Sequence, residues 1–249
     1  MENSEEPQVF QPIVLCNVIY KILAKIMVNR LKPILSELIS QEQTGFVKGR
    51  QIIDGIVVAQ EETHSMKNSK TKGMLIKLDL AKAYDRLNWG YLQKIPKAFG
   101  FDDRWLSWVT SMIITPFLSI LLNGSPTEAF KATRWLRQGD LLSLFLFILV
   151  AKGLGILIKA KAYKKHYKGL RLWGNDLPLT HQQFVDDVML YGQVILKEEK
   201  KIMEILIDFT SASRTKISKE KSDIYFFNTS TPSQAFLART MGFRIGNSL

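Results

Sequence analysis

Asp186 and Asp187 sit side by side in "QQFVDDVMLYGQ" (Gln182 to Gln193), between Phe184-Val185 and Val188-Met189-Leu190. Adjacent carboxylates repel, so keeping both ionised calls for a counter-charge, and a divalent cation is the usual one. β-Forming residues on both flanks, with Gly192 closing the segment, predict a strand–turn–strand that shows both carboxylates at its tip. Taken alone, the segment equally fits an ordinary Asp-Asp hairpin turn. A second stretch, "MLIKLDLAKAYD", places Asp79 at the end of a strand in which Met74, Ile76 and Leu78 alternate. Laid beside the hairpin in one sheet, Asp79 would meet Asp186 from a distant part of the chain. Carboxylates so combined suit two hard cations roughly 3.5–4 Å apart, which stabilise both the attacking and leaving oxygens of an in-line phosphoryl transfer. Oxygen donors point to Mg²⁺. The other Asp-Asp pair, Asp102-Asp103, precedes a helical pattern through Trp105, Leu106 and Trp108, where acids cap a helix and complement its dipole.

The elements that must carry these residues follow from periodicity. Leu15, Ile19, Ile22, Leu23, Ile26 and Val28 recur mostly at three- and four-residue steps and predict an amphipathic helix from Pro12 to Arg30, with Lys21, Lys25 and Arg30 on its polar sides. Pro33 predicts a break or a new first turn, followed by a short helix to about Ile39. A loop, "QEQTGFVKGRQIID", leads into a helix through Ile56, Val57 and Ala59. After the polar turn "NSKTKG" and the Met74–Leu78 strand, helices are expected over Tyr91–Phe99 and Arg104–Ile114. "FLSILLNG" predicts a hairpin turning at Asn-Gly. A long buried helix is expected from Leu142, two short strands around a Gly-Asn-Asp turn after it, a helix over Lys197–Ser211 and a last strand "SDIYFF". Strands and helices mix without regular βαβ alternation, so the expected class is α+β.

Composition narrows the partners. The 249 residues carry 34 Lys+Arg against 23 Asp+Glu, a net +11 that favours a polyanion, nucleic acid before anionic membrane. Cys16 stands alone, which excludes an intramolecular disulfide and a Cys-rich zinc site, and His64, His166 and His181 are scattered. The N-terminus reads as neither signal nor transit peptide. The apolar run Leu141–Ile158, interrupted by Lys152, reads as a buried helix rather than a membrane span, so an intracellular protein of nucleus or cytoplasm, without a membrane partner, is expected.

Five blocks in order carry a resemblance to the reverse transcriptases of non-LTR (LINE-type) retrotransposons, of the kind abundant in plants. "QPIVLCNVIYKILAKIMVNRLKPILSELISQEQTGFVKGRQIIDGI" resembles their fingers segment, "KLDLAKAYDRLNW" the first catalytic block and "LRQGDLLSLFLFIL" the template and nucleotide block. "FVDD" resembles the variable-variable-Asp-Asp block and "SASRTKISKEKS" the lysine-bearing block after it. The resemblance implies a right-hand polymerase. Fingers would occupy 1–72, a palm with an antiparallel sheet packed on helices 73–230, and the start of the segment before the primer grip and thumb 231–249. Both of those later elements would be missing from a truncated copy.

It further implies RNA-directed DNA synthesis from dNTPs on an RNA template and a DNA primer, with two Mg²⁺ ions and Mn²⁺ as the alternative ion. Asp79 and Asp186 would hold both ions, with Asp187 assisting and the Leu80 carbonyl nearby. Tyr84 would be the aromatic gate under the sugar; Gln138, Gly139 and Lys21 would meet the nucleotide; Gln43, Phe46, Arg50 and Arg137 would meet template or primer. Lys216 and Lys221 are both candidates for the general acid toward pyrophosphate, and a solvated role fits either. Lys159, Lys161, Lys164, Lys165 and Lys168, with Tyr163 and Tyr167 interleaved, fit either a nucleic-acid track or a solvated charge run. A catalytically inactive nucleic-acid-binding remnant is the alternative reading. It is motivated by departures from the family pattern: Gln11-Pro12 for Arg-Pro, Lys48 for proline, Trp135 for glycine, Leu141 and Leu144 for prolines, Lys152 for glutamate, and Arg214 and Ser218 for glycine and asparagine.

Overall fold

The computed structural model describes residues 13–68, 70–170 and 178–247. Gln11-Pro12 and the Gly-Asn-Asp turn at 174–176 lie outside the described residues.

Helix α1 (Val18–Leu38) starts at Asn17, whose side-chain oxygen accepts from the Tyr20 amide at 2.8 Å. It runs through Pro33 instead of breaking there. An internal proline removes a donor and crowds the carbonyl four residues back, at about 3 kcal/mol. Leu31 and Leu35 on either side are both buried, so one continuous packed stripe carries the helix past the ring. That stripe is Ala24, Met27, Val28, Leu31 and Leu35. Of the residues the sequence pattern picked out, Val28 belongs to this stripe, whereas Leu15, Ile19, Ile22, Leu23 and Ile26 are exposed. Both stripes have helical spacing, and periodicity alone does not say which one meets a neighbour.

Helix α2 (Ile52–Asn68) leads into strand β1 (Gly73–Leu78), which is followed by the short α3 (Ala83–Arg86), α4 (Trp89–Ala98) and α5 (Asp103–Ile114). Asp102 caps α5, accepting from the Arg104 amide at 2.8 Å, while Asp103 pairs with Lys97 at 2.8 Å. A ribbon follows. In it β2 (Phe117–Leu118) pairs with β5 (Phe130–Lys131), and β3 (Leu121–Leu122) with β4 (Ser125–Pro126). The ribbon turns at Asn123-Gly124, both at positive φ, as a two-residue hairpin loop demands.

Helix α6 (Leu141–Tyr163) is buried almost all round. It is long and apolar enough to cross a membrane, yet 72% of its most apolar stretch is buried inside the protein, as in a core helix. After it come β6 (His181–Phe184), β7 (Asp187–Gln193), α7 (Leu196–Ser213), β8 (Asp223–Phe227), α8 (Thr231–Met241) and β9 (Arg244–Ile245). The last helix and strand were not anticipated, although Pro232 in the first turn and Gly242 at the C-cap are ordinary boundary signals.

The main sheet has the order β6-β7-β1-β8-β9. Every pairing is antiparallel except β8 with β9. On β1, Met74, Ile76 and Leu78 face the large core shared with α1, α6 and α7; Leu75 faces a smaller cluster with Met66, Leu170, Tyr191 and Phe227. A central strand buried on both faces holds its register firmly, because a one-residue slip would exchange the two sets. That register positions the acidic residues.

Candidate active site

The last paired residues of β1 and β7 are Leu78 and Val188. One step further along the ladder stand Asp79 on one strand and Asp187 on the other. Across the β6–β7 hairpin Phe184 pairs with Asp187, so Val185 and Asp186 form a two-residue loop. Val185 has φ +56°, an uncommon conformation for a β-branched residue. Its neighbours hold it there: the Gln43 side-chain oxygen accepts from the amides of Val185 (3.0 Å) and Gly45 (2.9 Å). A Cβ on Gly45 would stand 2.7 Å from a Val185 methyl, so glycine is required for this approach. Residues 42–44 also add to the β6 edge, with Gln183 N donating to the Glu42 carbonyl and Thr44 N to that of Gln183.

Asp79 is fixed from the other side. Its amide donates to the hydroxyl of fully buried Ser222 at 3.1 Å, and its carbonyl accepts from Ser218 N at 2.9 Å. Ala81 N donates to the Lys216 carbonyl and Leu80 bridges Ile217, so the loop after α7 is stitched to the segment after β1. This stitching separates the two lysines that the sequence left equivalent: Lys221 lines the cleft, whereas the exposed Lys216 is not among its lining residues.

The cleft, about 900 Å³, opens beside Asp79 and Asp186. Leu80, Tyr84, Arg137, Gln138 and Gly139 line it as well, bringing together most of the residues singled out in the sequence. Tyr84 stacks on Phe147 of α6 at 4.8 Å between ring centroids. Asp140 caps α6, accepting from the amides of Leu142 and Ser143, and also accepts from the Tyr20 hydroxyl at 2.9 Å. Arg137 lies over the Tyr20 ring at 4.2 Å and donates to the Met112 carbonyl.

Asp187, Lys21, Gln43, Phe46, Arg50 and Lys216 are not among the lining residues. Arg50 donates to the carbonyls of Ile39, Ser40 and Gln43, closing the C-terminal end of α1 onto the loop. Gln43 is 2% exposed and acts as a brace, while Phe46 is 57% exposed, 6.3 Å from the Phe184 ring. Gln43 as a brace, Ser222, and Tyr20 with Asp140 escaped the sequence reading. Of these only Asp140 carried a signal, an N-cap residue just before an apolar helical run.

Residues 3–243 match the family described as reverse transcriptase (RNA-dependent DNA polymerase). The chain belongs to that family. Among curated proteins it is 28% identical over 215 residues to the Xenopus laevis transposon TX1 uncharacterized 149 kDa protein, covering 86% of this chain and 16% of that one. It is 23% identical over 246 residues to the Drosophila melanogaster Pol polyprotein of the type-2 retrotransposable element R2DM, covering 98% and 22%. The chain is thus related to non-LTR retrotransposon proteins and spans only about a sixth to a fifth of the length of these relatives. Among solved structures, telomerase from Candida albicans superposes with a TM-score of 0.56 at 14% identity, over 86% of this chain and 35% of that one. That likeness is of fold, a mixed α+β architecture.

Electrostatics at the acidic end of this reverse transcriptase domain are unfavourable as they stand. Burial pushes the Asp186 carboxyl above the usual carboxylate range, and the charges of Asp187 and Asp79 push it further. Asp187 is raised too, by burial and by Asp79, against a lowering pull from Lys77. Among the described residues none of the three aspartates has an ion-pair partner within 4 Å. A divalent cation would reverse each of these effects, and the donors, carboxylates with the nearby Leu80 carbonyl, are of the kind Mg²⁺ takes. Among the described residues, however, no three His, Cys, Asp or Glu side chains already stand as a formed metal site. The donor set fits in kind.

Two departures from the family's glycines are visible in the backbone. Trp135, one residue before the "LRQGD" block, has φ +130°, and Arg214, the C-cap of α7, has φ +62°. A non-glycine residue held in such a region costs on the order of 1–3 kcal/mol. Trp135→Gly is therefore expected to stabilise the protein by roughly 1 kcal/mol after the extra entropy of an unfolded glycine is subtracted. Urea unfolding of the variant beside wild type measures it; a lower midpoint would mean that the indole's packing outweighs the strain.

Proposed function

We propose that this chain is the fingers-and-palm core of an RNA-directed DNA polymerase, which transfers a nucleotide from a dNTP to a primer 3′-hydroxyl on an RNA template. The observation that carries the reading is the register of β1 against the β6–β7 hairpin, which supports Asp79 and Asp186 at one end of a sheet and beside one cleft. Asp79, Asp186 and Asp187, with the Leu80 carbonyl, would hold two Mg²⁺ ions. Bound there, the ions would neutralise charge on the triphosphate and on the attacking and leaving oxygens. The chain's own residues supply position: Tyr84, braced by Phe147, offers its face to the sugar, and Gln138-Gly139 offer a backbone path to the base pair. Such transfer is catalysed chiefly by alignment and charge stabilisation. Arg137, which lines the cleft, would meet template or primer there, whereas Lys21 and Phe46, outside the lining, would reach nucleotide or template only if bound nucleic acid drew α1 and its loop toward the cleft.

Of Lys216 and Lys221 it is Lys221 that lines the cleft, as Lys82 also does, so Lys221 is assigned the proton for leaving pyrophosphate. Loss of a general acid typically costs 10²–10⁴-fold. Single-turnover extension should slow about 10²-fold in Lys221→Gln and change little in Lys216→Gln; equal effects would remove the assignment.

The positive φ values of Trp135 and Arg214 favour a second reading, a nucleic-acid-binding remnant without polymerase activity. Primer extension on an RNA template with Mg²⁺ and dNTPs separates the two. Extension by wild type that disappears in Asp79→Asn supports the polymerase. Salt-dependent binding of an RNA–DNA hybrid with no extension supports the remnant. Extension unchanged by Asp79→Asn would show that the acidic end is misassigned.

A further inference from the structure

The end of α6 and the start of α7 meet at the opposite end of the molecule from the cleft. α6 begins at the cleft with Leu141 and ends at Tyr163, and at 1.5 Å per residue that separates the two sites by about 33 Å. The first turn of α7 and the residues after it, "KEEKK", carry three lysines and two glutamates. In the fold the two glutamates, Glu198 and Glu199, are only 2% and 3% exposed. The Glu198 carboxylate turns inward to accept from the amides of Lys168 (2.7 Å) and Gln193 (2.8 Å). That bond also draws the Lys168 segment against α7. Lys197 and Lys200 are exposed, as are Lys164, Lys165 and Lys168 on the segment that this bond ties to α7. Among the described residues none of these five has an ion-pair partner. The half-exposed Glu204 nearby is already shared by Lys161 and Lys201. Tyr167 does not belong to the face: it is buried, and its hydroxyl donates to the Thr180 carbonyl at 2.8 Å. Tyr163 does, with its ring 90% exposed among the lysines.

We propose that this lysine face, with Tyr163 at its rim, is a second nucleic-acid-binding surface that takes single-stranded RNA apart from the cleft. Lys168 is partly offset by the nearby Glu198 carboxylate, but Lys164, Lys165, Lys197 and Lys200 are not, and a phosphate backbone relieves the repulsion among such cations while releasing counterions. An exposed ring among cations adds a stacking platform that any base can use, which favours a nucleic acid over a lipid surface.

The test uses the whole chain and an oligo(U) RNA of about 30 nucleotides, long enough to follow a groove and free of duplex. Binding is measured by fluorescence anisotropy over a salt series for wild type and for Lys164→Gln/Lys165→Gln/Lys197→Gln/Lys200→Gln. Each lost phosphate contact on a single strand should reduce the slope of log affinity against log salt by about 0.7, so the quadruple variant should lose up to about 3 in slope. Its affinity at low salt should fall at least tenfold. Ultraviolet crosslinking of the wild type should attach RNA to the peptide containing Tyr163, a readout that does not depend on how the variant folds. An unchanged slope, or no crosslink at that peptide, overturns the proposal. So does binding to phosphatidylserine vesicles that the variant loses while RNA binding persists. Because Asp79→Asn leaves this face untouched, it should keep the oligo(U) affinity whether or not extension is ever observed.

Discussion

Asp186→Asn is expected to abolish primer extension while making the folded protein more stable. On the functional side, a metal-held carboxylate contributes several kcal/mol of charge stabilisation in the transition state. At tenfold per about 1.4 kcal/mol, its loss amounts to about 10³-fold or more in rate. On the stability side, Asp186 is held where its charge is unfavourable, by burial first and then by Asp187 and Asp79. A carboxyl with a folded pKa above its unfolded value binds more protons in the native state across the interval between them. Stability therefore falls as pH rises from the ordinary carboxylate range through the raised folded value, and the deficit is complete above it. An amide has no such charge and fills the same space. Thermal melts without metal should thus show Asp186→Asn above wild type at neutral pH and level with it at acidic pH. Mg²⁺ should raise the wild-type midpoint and leave the variant's unchanged. A variant less stable than wild type at neutral pH would mean that the carboxylate makes a favourable contact at the turn, contrary to a site that waits for a cation.

How far the sequence reaches is visible at individual positions. Strong local periodicity carried most elements: β1, α5, α6, α7 and β8 stand where alternation or three- and four-residue spacing predicted them. The Asp102-Asp103 cap was equally local. What failed was whatever depended on a neighbour. On α1 two apolar stripes compete, and only packing against α6 selects Ala24, Met27, Val28, Leu31 and Leu35. Pro33 looked decisive because its local cost is known, but burial on both sides outweighed it. In "KEEKK" nothing local marks the glutamates as buried, and the fold turned both inward. At the site, the meeting of Asp79 with Asp186 was inferable from two strand ends, since sheet pairing is the simplest way to join them. Ser222, which holds the Asp79 amide, had no local signature because a serine hydroxyl can bond almost anywhere.

Gln43 and Phe46 make the sharpest contrast, because the same resemblance assigned both to the template. Gln43→Ala is expected to destabilise the protein by about 2–4 kcal/mol, since it strands two buried amides, Val185 N and Gly45 N, at roughly 1–3 kcal/mol each. One of these amides belongs to a valine at φ +56°, a conformation that persists only when its surroundings impose it. Without the acceptor the Val185-Asp186 turn should relax, and extension should fall even at temperatures where the variant is still folded. Phe46→Ala removes a ring that is 57% exposed, so its stability should change by less than about 0.5 kcal/mol, as for surface substitutions generally. Its effect, if the ring meets nucleic acid, should fall on template affinity and not on the rate at saturating template. Denaturant unfolding and steady-state extension of the two variants give both coordinates for each residue. Gln43→Ala with wild-type stability and weakened template affinity would restore Gln43 to the template and leave the strained turn without its brace.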